Sequence, residues 1–517
     1  MDTVVTTTHG DVRGRVVDGV HVFLGIPYAA PPFGPRRLRP PEPVEPWDGV
    51  RDATELGPEP PQVAPPATGG SHEGAAEDWG EIDDAFARVA RAAPSEDVLN
   101  LDLWTPDPGT TGLPVMVWIQ GGMFEISSTA AYDGSRFARD GIVCVVINWR
   151  PGAEGFLYLD DGIANVGLLD QVAALEWVRE NIAAFGGDPG NVTVFGESAG
   201  AMSIGMLLAM PRAEGLFRRA ILQSGAAHHA MPAADARRVA QHLADLLGVP
   251  PDREAIAAAG VERLLAAQAQ LKAELMADPD PARWGMPVVA TRMPWHPTID
   301  GEVIPALPIE RIAAGSSAGV DLVVGTNVDD WRLFSVVSGV FGAITDEILT
   351  GPIEKYGYQS LASYGLPAAA THAAYRDRYP QAVPGDILAS VETDWWIRIP
   401  ALRLAEAHAA GPGRTYMYEF AWTSPGLGAV HALEIPFVFD TLSPDVPLFG
   451  PMLGPNAPQE LADVMHGAWV SFAAHGDPGP GWPQYDLERR ATMRFDITSQ
   501  VVPDPRAWER KLWAGVR

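Results

Sequence analysis

Residues Gly196-Glu197-Ser198-Ala199-Gly200 set a serine between two glycines, after the apolar β-branched run Val192-Thr193-Val194-Phe195 and ahead of a stretch with helical character. A serine at a sharp strand-to-helix turn takes a strained backbone, and flanking glycines let neighbouring chain pass close while the hydroxyl stays exposed. The chemistry this suits is attack by the Ser198 hydroxyl on an acyl carbon. The helix that follows would place the Ala199 N–H where its partial positive charge meets a developing oxyanion. The five-residue pattern alone recurs by chance in loops; the strand before it and the helix after it give it meaning.

The elements that must hold such a turn are legible on either side. Asp11–Val17 and Val20–Gly25 read as a hairpin around Asp18-Gly19. Leu99–Trp104 alternates as a strand, Leu113–Ile119 is a buried strand ending in Gly121-Gly122, and Val143–Asn148 is another. Leu168–Phe185 has helical spacing and stops at Gly186-Gly187-Asp188-Pro189. Ile221–Gly225, Asp321–Gly325 and Thr415–Phe420 read as later strands, with Phe217–Ala220 open between helix and strand, and Leu461–Ala474 reads as an amphipathic helix. Alternating strands and helices imply an α/β chain with a largely parallel sheet covered on both faces. Ala233 to about Ala277 is helical and inserted relative to that sheet, in an insertion expected over about 233–315. Residues 58–80, rich in proline and glycine, read as a mobile loop near the site.

Composition bounds the rest. The chain has 517 residues, 47% of them hydrophobic, so it can bury a large core. No apolar run approaches the roughly 20 residues of a membrane helix, and the first residues show no secretory leader. The net charge of −28 argues against binding nucleic acid or an anionic membrane surface. The single cysteine, Cys144, sits in Ile142–Ile147 as a buried strand residue and leaves no intrachain disulfide. These features fit a cytoplasmic protein.

Taken together, Phe23–Ala29, Ser95–Leu101, Gly167–Gln171, Phe185–Pro189, the Gly-Glu-Ser-Ala-Gly turn, Ile221–Gly225 and Val430–Phe437 resemble the type-B carboxylesterases, including bacterial p-nitrobenzyl-type esterases, from Gly10 to near the C-terminus. The resemblance implies one α/β-hydrolase domain over residues 1–517 and a serine esterase working through an acyl-enzyme, without metal or cofactor. The family's acid falls on Asp330, within Gly325–Trp331, and its base on His431, in the chain order Ser198, Asp330, His431. Asp329 is the competing acid. The backbone N–H groups of Gly122, Met123 and Ala199 are the implied oxyanion hole, and Glu197 and Ser224 the implied supports.

The chain also departs from that family. Gln120 stands where relatives keep a histidine, and Met123 where they keep a small residue, which should narrow the pocket. Pro60 and Val98 replace a cysteine pair, aspartate replaces the usual glutamate of the triad, and Trp331 follows it in place of glycine. Phe124 and Trp331 are the pocket candidates; Trp295, Phe334 and Trp395-Trp396 read first as core. His228-His229 reads as pocket rim or surface rather than a metal site, and the acidic stretch from Glu73 to Asp84 as a solvated face. The implied partner is a small-molecule ester of apolar character, with the chain a monomer or weak homo-oligomer. Two other readings stay open: a specialised amide, carbamate or lactone hydrolase or acyltransferase, and a catalytically silent esterase-like binding protein.

Overall fold

The computed structural model describes residues 2–63, 96–444, 446 and 448–516. Most of the loop expected at 58–80, and all of the Glu73 to Asp84 stretch, lie outside the described residues.

A 13-stranded sheet runs through the molecule. Its strands are β1 (Asp2–Thr6), β2 (Asp11–Val17), β3 (Val20–Pro27), β4 (Val50–Asp52), β5 (Asn100–Thr105), β6 (Leu113–Ile119), β7 (Val143–Ile147), β8 (Gly187–Glu197), β9 (Arg219–Gln223), β10 (Asp321–Asn327), β11 (Thr415–Phe420), β12 (Ala491–Phe495) and β13 (Gln500–Pro503). Their spatial order is β1-β2-β3-β5-β7-β6-β8-β9-β10-β11-β12-β13, with β4 beside β2. The block from β7 to β12 is parallel throughout. The flanking pairs are antiparallel except that β4 runs parallel to β2, and they include the expected hairpin, in which Val17 faces Val20 across Asp18-Gly19.

Side-chain alternation explains why this sheet is covered twice. Val115, Val117, Val143, Val145, Val192 and Val194 point to one core, whereas Met116, Trp118, Cys144, Val146 and Phe195 point to the other. Trp118, Phe195 and Phe439 pack edge-on or stacked within the second, with ring centroids 4.8–5.7 Å apart. Burial on both faces pushes the Cys144 thiol well above its usual range, so it stays an inert thiol.

The chain leaves β6 toward β7 on one side and returns as β8 on the other, so the order reverses at β6. In open parallel sheets, the crevice beyond the carboxyl ends of strands at such a reversal is where ligands bind. The loop after β6 and the Ser198 turn after β8 both lie there.

Several boundaries differ from the sequence reading. The helix expected over 168–185 runs Val166–Asn181 and tightens into a 3₁₀ turn at Ile182–Phe185 before Gly186. β8 begins at Gly187 rather than Val192, and the ambiguous segment before Ile221 becomes strand only from Arg219. The excursion between β9 and β10 carries helices Ala233–Leu247, Arg253–Ala258, Val261–Ala277, Met286–Thr291 and Pro308–Ala313. A second helical excursion, from Arg332 to Ala409 between β10 and β11, had no counterpart in the sequence reading. Most of its pieces are short, and its long run, residues 384–409, is interrupted by a π-helical turn at Asp394–Arg398 that shifts the helical period. Among the described residues, no helix is long and apolar enough to cross a membrane.

Candidate active site

Ser198 follows β8 with φ 55° and ψ −125°, outside the regions that L-residues favour, and caps the start of the helix Ala199–Leu207. Packing over-determines this strain. A Cβ on Gly200 would sit 1.9 Å from the Ile119 carbonyl oxygen, one on Gly196 2.5 Å from the same atom, and one on Gly225 2.5 Å from the Ser198 carbonyl oxygen. The Ser198 N–H donates to the Gln223 carbonyl at 2.9 Å, tying the turn to β9. Among the described residues, the Ser198 hydroxyl makes no hydrogen bond, and the residue keeps 8% exposure, enough for its hydroxyl to meet a bound molecule.

β10 delivers the loop that holds both aspartates. The Asp330 carboxylate accepts the Asn327 N–H at 2.8 Å through Oδ2 and lies 2.9 Å from His431 Nδ1 through Oδ1. Its carbonyl accepts the His431 N–H at 3.1 Å, so the two residues hold each other by side chain and backbone. Asp329 turns the other way and accepts the Ala429 N–H at 3.0 Å. Only Asp330 of the two meets the imidazole.

The other imidazole nitrogen faces Glu197. His431 Nε2 lies 2.9 Å from Glu197 Oε1, without the alignment of a hydrogen bond. Burial works against an imidazolium here, but the Glu197 charge and the hydrogen bonds to Asp330 outweigh it and hold His431 well above its usual range. Burial pushes the Glu197 carboxyl up, opposed chiefly by the His431 charge.

A third carboxylate, Glu434, went unremarked in the sequence although it stands within Leu433–Phe437. Its Oε2 accepts Asn327 Nδ2 at 2.6 Å and its Oε1 accepts Gln223 Nε2 at 3.2 Å. Burial, then the Glu197 and Asp330 charges, raise it to about 8. A lone acid inside an otherwise apolar run was the available signal. Ser224 differs from expectation. Its backbone turns into the left-handed region at φ 47°, and its buried hydroxyl has no hydrogen-bond partner among the described residues, so the expected support of acid and base is not made here.

Gly121 abuts the nucleophile, since a Cβ there would lie 2.9 Å from Ser198 Cβ. The following residues turn sharply, with φ 124° at Gly122, 54° at Met123 and 58° at Phe124. The Gly122 carbonyl accepts the N–H groups of Glu125 and Ile126. The N–H groups of Gly122, Met123 and Ala199 donate to no acceptor among the described residues, which leaves them available to an oxyanion. Gln120 is buried behind this loop and donates through Nε2 to Ser127 Oγ at 2.8 Å, while Gln62 Oε1 accepts the Ser127 N–H at 2.8 Å. The loop is therefore braced by the Gln120 and Gln62 amides.

Comparison with known proteins gives this arrangement its setting. The profile of the carboxylesterase family matches residues 1–513. The chain belongs to that family. It is 35% identical to the para-nitrobenzyl esterase of Bacillus subtilis, with 98% of each chain aligned, and 34% identical to a phenmedipham hydrolase of Pseudarthrobacter oxydans, with 94% of each. The crystal structure of a Geobacillus stearothermophilus carboxylesterase superposes with a TM-score of 0.80 at 37% identity, covering 99% of this chain and 100% of that one. The sheet is thus that of an α/β-hydrolase, and the chain is a carboxylic-ester hydrolase.

In this carboxylesterase an aromatic path leads away from the imidazole. Phe334 packs 5.1 Å from the His431 ring, Trp331 4.6 Å from Phe334, Trp396 stacks on Trp331 at 4.4 Å, and His229 on Trp396 at 4.8 Å. Trp331 joins the site through Phe334 rather than facing it. Phe124 departs from its expected place as a pocket face: it has no exposed surface and packs against Phe156 and Trp149, so it backs the loop from within the core. Met123 is half-buried and packs against the same core. His229 is buried and its Nε2–H donates to the Trp396 carbonyl at 2.8 Å. No group of three His, Cys, Asp or Glu side chains arranged to hold a metal ion occurs among the described residues.

Proposed function

We propose that this carboxylesterase hydrolyses carboxylic esters of small to medium, largely apolar molecules, with Ser198 as nucleophile, His431 as base and acid, and Asp330 as the group that orients and stabilises the imidazole. The observation that carries the reading is His431, held on Nδ1 by Asp330 and with Nε2 2.9 Å from Glu197, the residue next to Ser198 in the chain. His431 Nε2 would leave Glu197 and take the Ser198 proton as Oγ attacks the carbonyl carbon. The N–H groups of Gly122, Met123 and Ala199 would then receive the oxyanion, each donor being worth about 10²–10³ in rate. His431 returns the proton to the departing alcohol, and water repeats the sequence on the acyl-serine. Catalytic hydrogen bonds in unliganded sites are commonly loose and tighten on substrate, which fits a serine hydroxyl without a partner. The lone buried Cys144 suits a reducing compartment, and we place the enzyme in the cytoplasm.

The test is hydrolysis of 4-nitrophenyl esters from acetate to decanoate, run beside Ser198→Ala. Turnover that the substitution lowers by about 10³ or more, together with loss of labelling by a phosphonate, is the expected result. Full turnover in the variant would sink the assignment.

A further inference from the structure

The loop that follows β6 carries a single charge. Among residues 120–128 only Glu125 is acidic or basic, and Lys272 Nζ donates to its two carboxylate oxygens at 3.0 and 3.1 Å. The same ammonium donates to the Arg292 carbonyl at 2.7 Å. A lysine has three donors on a flexible stem, and here three acceptors of the protein take them. That distinguishes the contact from an isolated surface ion pair, which holds neither of its partners firmly.

Glu125 stands where the turn of this loop closes. Its N–H and that of Ile126 donate to the Gly122 carbonyl at 2.8 and 2.9 Å. A trans peptide is planar, with its C=O and N–H opposed. Fixing the Gly122 carbonyl therefore aims the Met123 N–H of the same peptide in the opposite direction, and that N–H is one of the donors the mechanism above gives to the oxyanion. The helix Val261–Ala277, which carries Lys272, reaches the loop at a second point as well. One turn earlier on the same face, Gln268 Oε1 accepts the Ala153 N–H at 2.7 Å, and the neighbouring Gly152 N–H donates to the Phe124 carbonyl at 2.6 Å.

The anchor beneath Lys272 is itself fixed. Arg292 ends the helix Met286–Thr291 in the left-handed region, at φ 57° and ψ 13°, a conformation that a residue with a side chain keeps only where its surroundings impose it. Its guanidinium pairs with the buried Glu392 at 2.7 Å and lies 3.9 Å from the Tyr358 ring centre and 5.4 Å from that of Trp331. Trp331 follows Asp330 in the chain. The carbonyl of Arg292 thus seats the ammonium that grips the oxyanion loop, while its side chain rests on the residue next to the acid.

We propose that Lys272 is a positioning residue for ester hydrolysis: through Glu125 it holds the oxyanion loop, and the Arg292 carbonyl registers it against the stretch of chain that carries Asp330. The proposal rests on the reading of Ser198 as nucleophile and of Gly122, Met123 and Ala199 as oxyanion donors.

The experiment measures kcat and KM for n-butyl acetate, whose poor leaving group makes acylation limit turnover, and the inhibition constant of an alkyl trifluoromethyl ketone, to which Ser198 adds and so places an oxyanion in the hole. The proteins are wild type, Lys272→Met, Glu125→Gln and the double variant, with thermal unfolding to identify any that fails to fold; Glu125→Gln carries the test alone if Lys272→Met does. Lys272→Met should lower kcat by about tenfold to a hundredfold with KM within about threefold, and weaken the ketone by a similar factor. Glu125→Gln should show a smaller loss of the same kind, and Lys272→Met should cost less in that background than in wild type. A kcat within about twofold of wild type in the folded variants, a loss that falls on KM, a ketone bound as tightly as by wild type, or an equal cost of Lys272→Met in both backgrounds would overturn the proposal. The nucleophile is judged separately, by the ester hydrolysis that Ser198→Ala abolishes. Turnover that survives Ser198→Ala would overturn both readings.

Discussion

Replacing Glu197 by glutamine should move the acidic limb of the pH–rate profile to lower pH. His431 must be neutral at Nε2 to accept the Ser198 proton, so kcat/KM rises as pH passes upward through the imidazole pKa. In wild type that pKa is raised, with the Glu197 charge the largest influence opposing burial. A full carboxylate charge 2.9 Å from Nε2 is worth about 1.4 kcal/mol at the dielectric of water and about 6 kcal/mol at an effective value of 20. At 1.36 kcal/mol per unit, these bracket a shift of about one to four units. Burial of Glu197, which disfavours its charge, pulls the result toward the lower end. The two groups titrate as a pair, so the limb reports an apparent constant of the pair in wild type and of the imidazole alone in the variant. The assay is kcat/KM for 4-nitrophenyl butyrate from pH 4.5 to 9 with both proteins. A limb that stays within about 0.3 unit, or moves to higher pH, would refute the argument that Glu197 is the charge sustaining the imidazolium.

Three further outcomes follow from single contacts. Asp330→Asn should lower kcat by about 10⁴ through the wrong imidazole tautomer, whereas Asp329→Asn, which touches the Ala429 N–H, should leave kcat within about tenfold and show mainly in thermal unfolding; equal losses would break the assignment of the acid. Gln120→Leu removes the amide that holds Ser127 Oγ and should lower kcat by about tenfold or more with little change in KM, as expected for a loosened oxyanion loop; steady-state kinetics on one ester decides it. Asp102 has no exposure, and burial raises it from 3.8 to about 6. The folded state therefore binds this proton more tightly than the unfolded state, and stability falls as pH climbs from about 4 to about 6, by about 3 kcal/mol at most. Asp102→Asn should remove that slope and raise Tm at pH 7.5, and calorimetry at pH 4 and pH 7.5 that finds the same difference between the two proteins would contradict it.

The sequence disclosed the parts of this molecule whose physics is local. The Ser198 turn was readable because β-branched alternation, paired glycines and a helix start fall within nine residues, and the two-faced sheet because successive valines announce its period. Asp330 and His431 were different. Nothing near either residue sets it 2.9 Å from the other across a separation of 101 residues, and it was resemblance that singled them out. Glu434 showed in the sequence only as a lone acid in an apolar run, and its partners Gln223 and Asn327 are brought to it from β9 and β10, far away in the chain. The second helical excursion escaped because its pieces are short or, over residues 384–409, interrupted by a π-helical turn at Asp394–Arg398, so no single helical period runs through them. Phe124 was read as a pocket face from its place in the chain, yet the positive φ at Met123 and Phe124 turns that ring inward.

The two excursions that cap the sheet are locked to each other. Arg292 of the first pairs with Glu392 of the second at 2.7 Å, and its guanidinium also lies over the Trp331 ring, which is itself stacked on Trp396. The two stretches of chain thus share one joint. Substitutions on opposite sides of that joint will not add as independent changes do, because each alters the seat on which the other rests. Directed variation confined to one stretch would then explore only the shapes its partner allows, and a new preference would arise most readily when both are varied together.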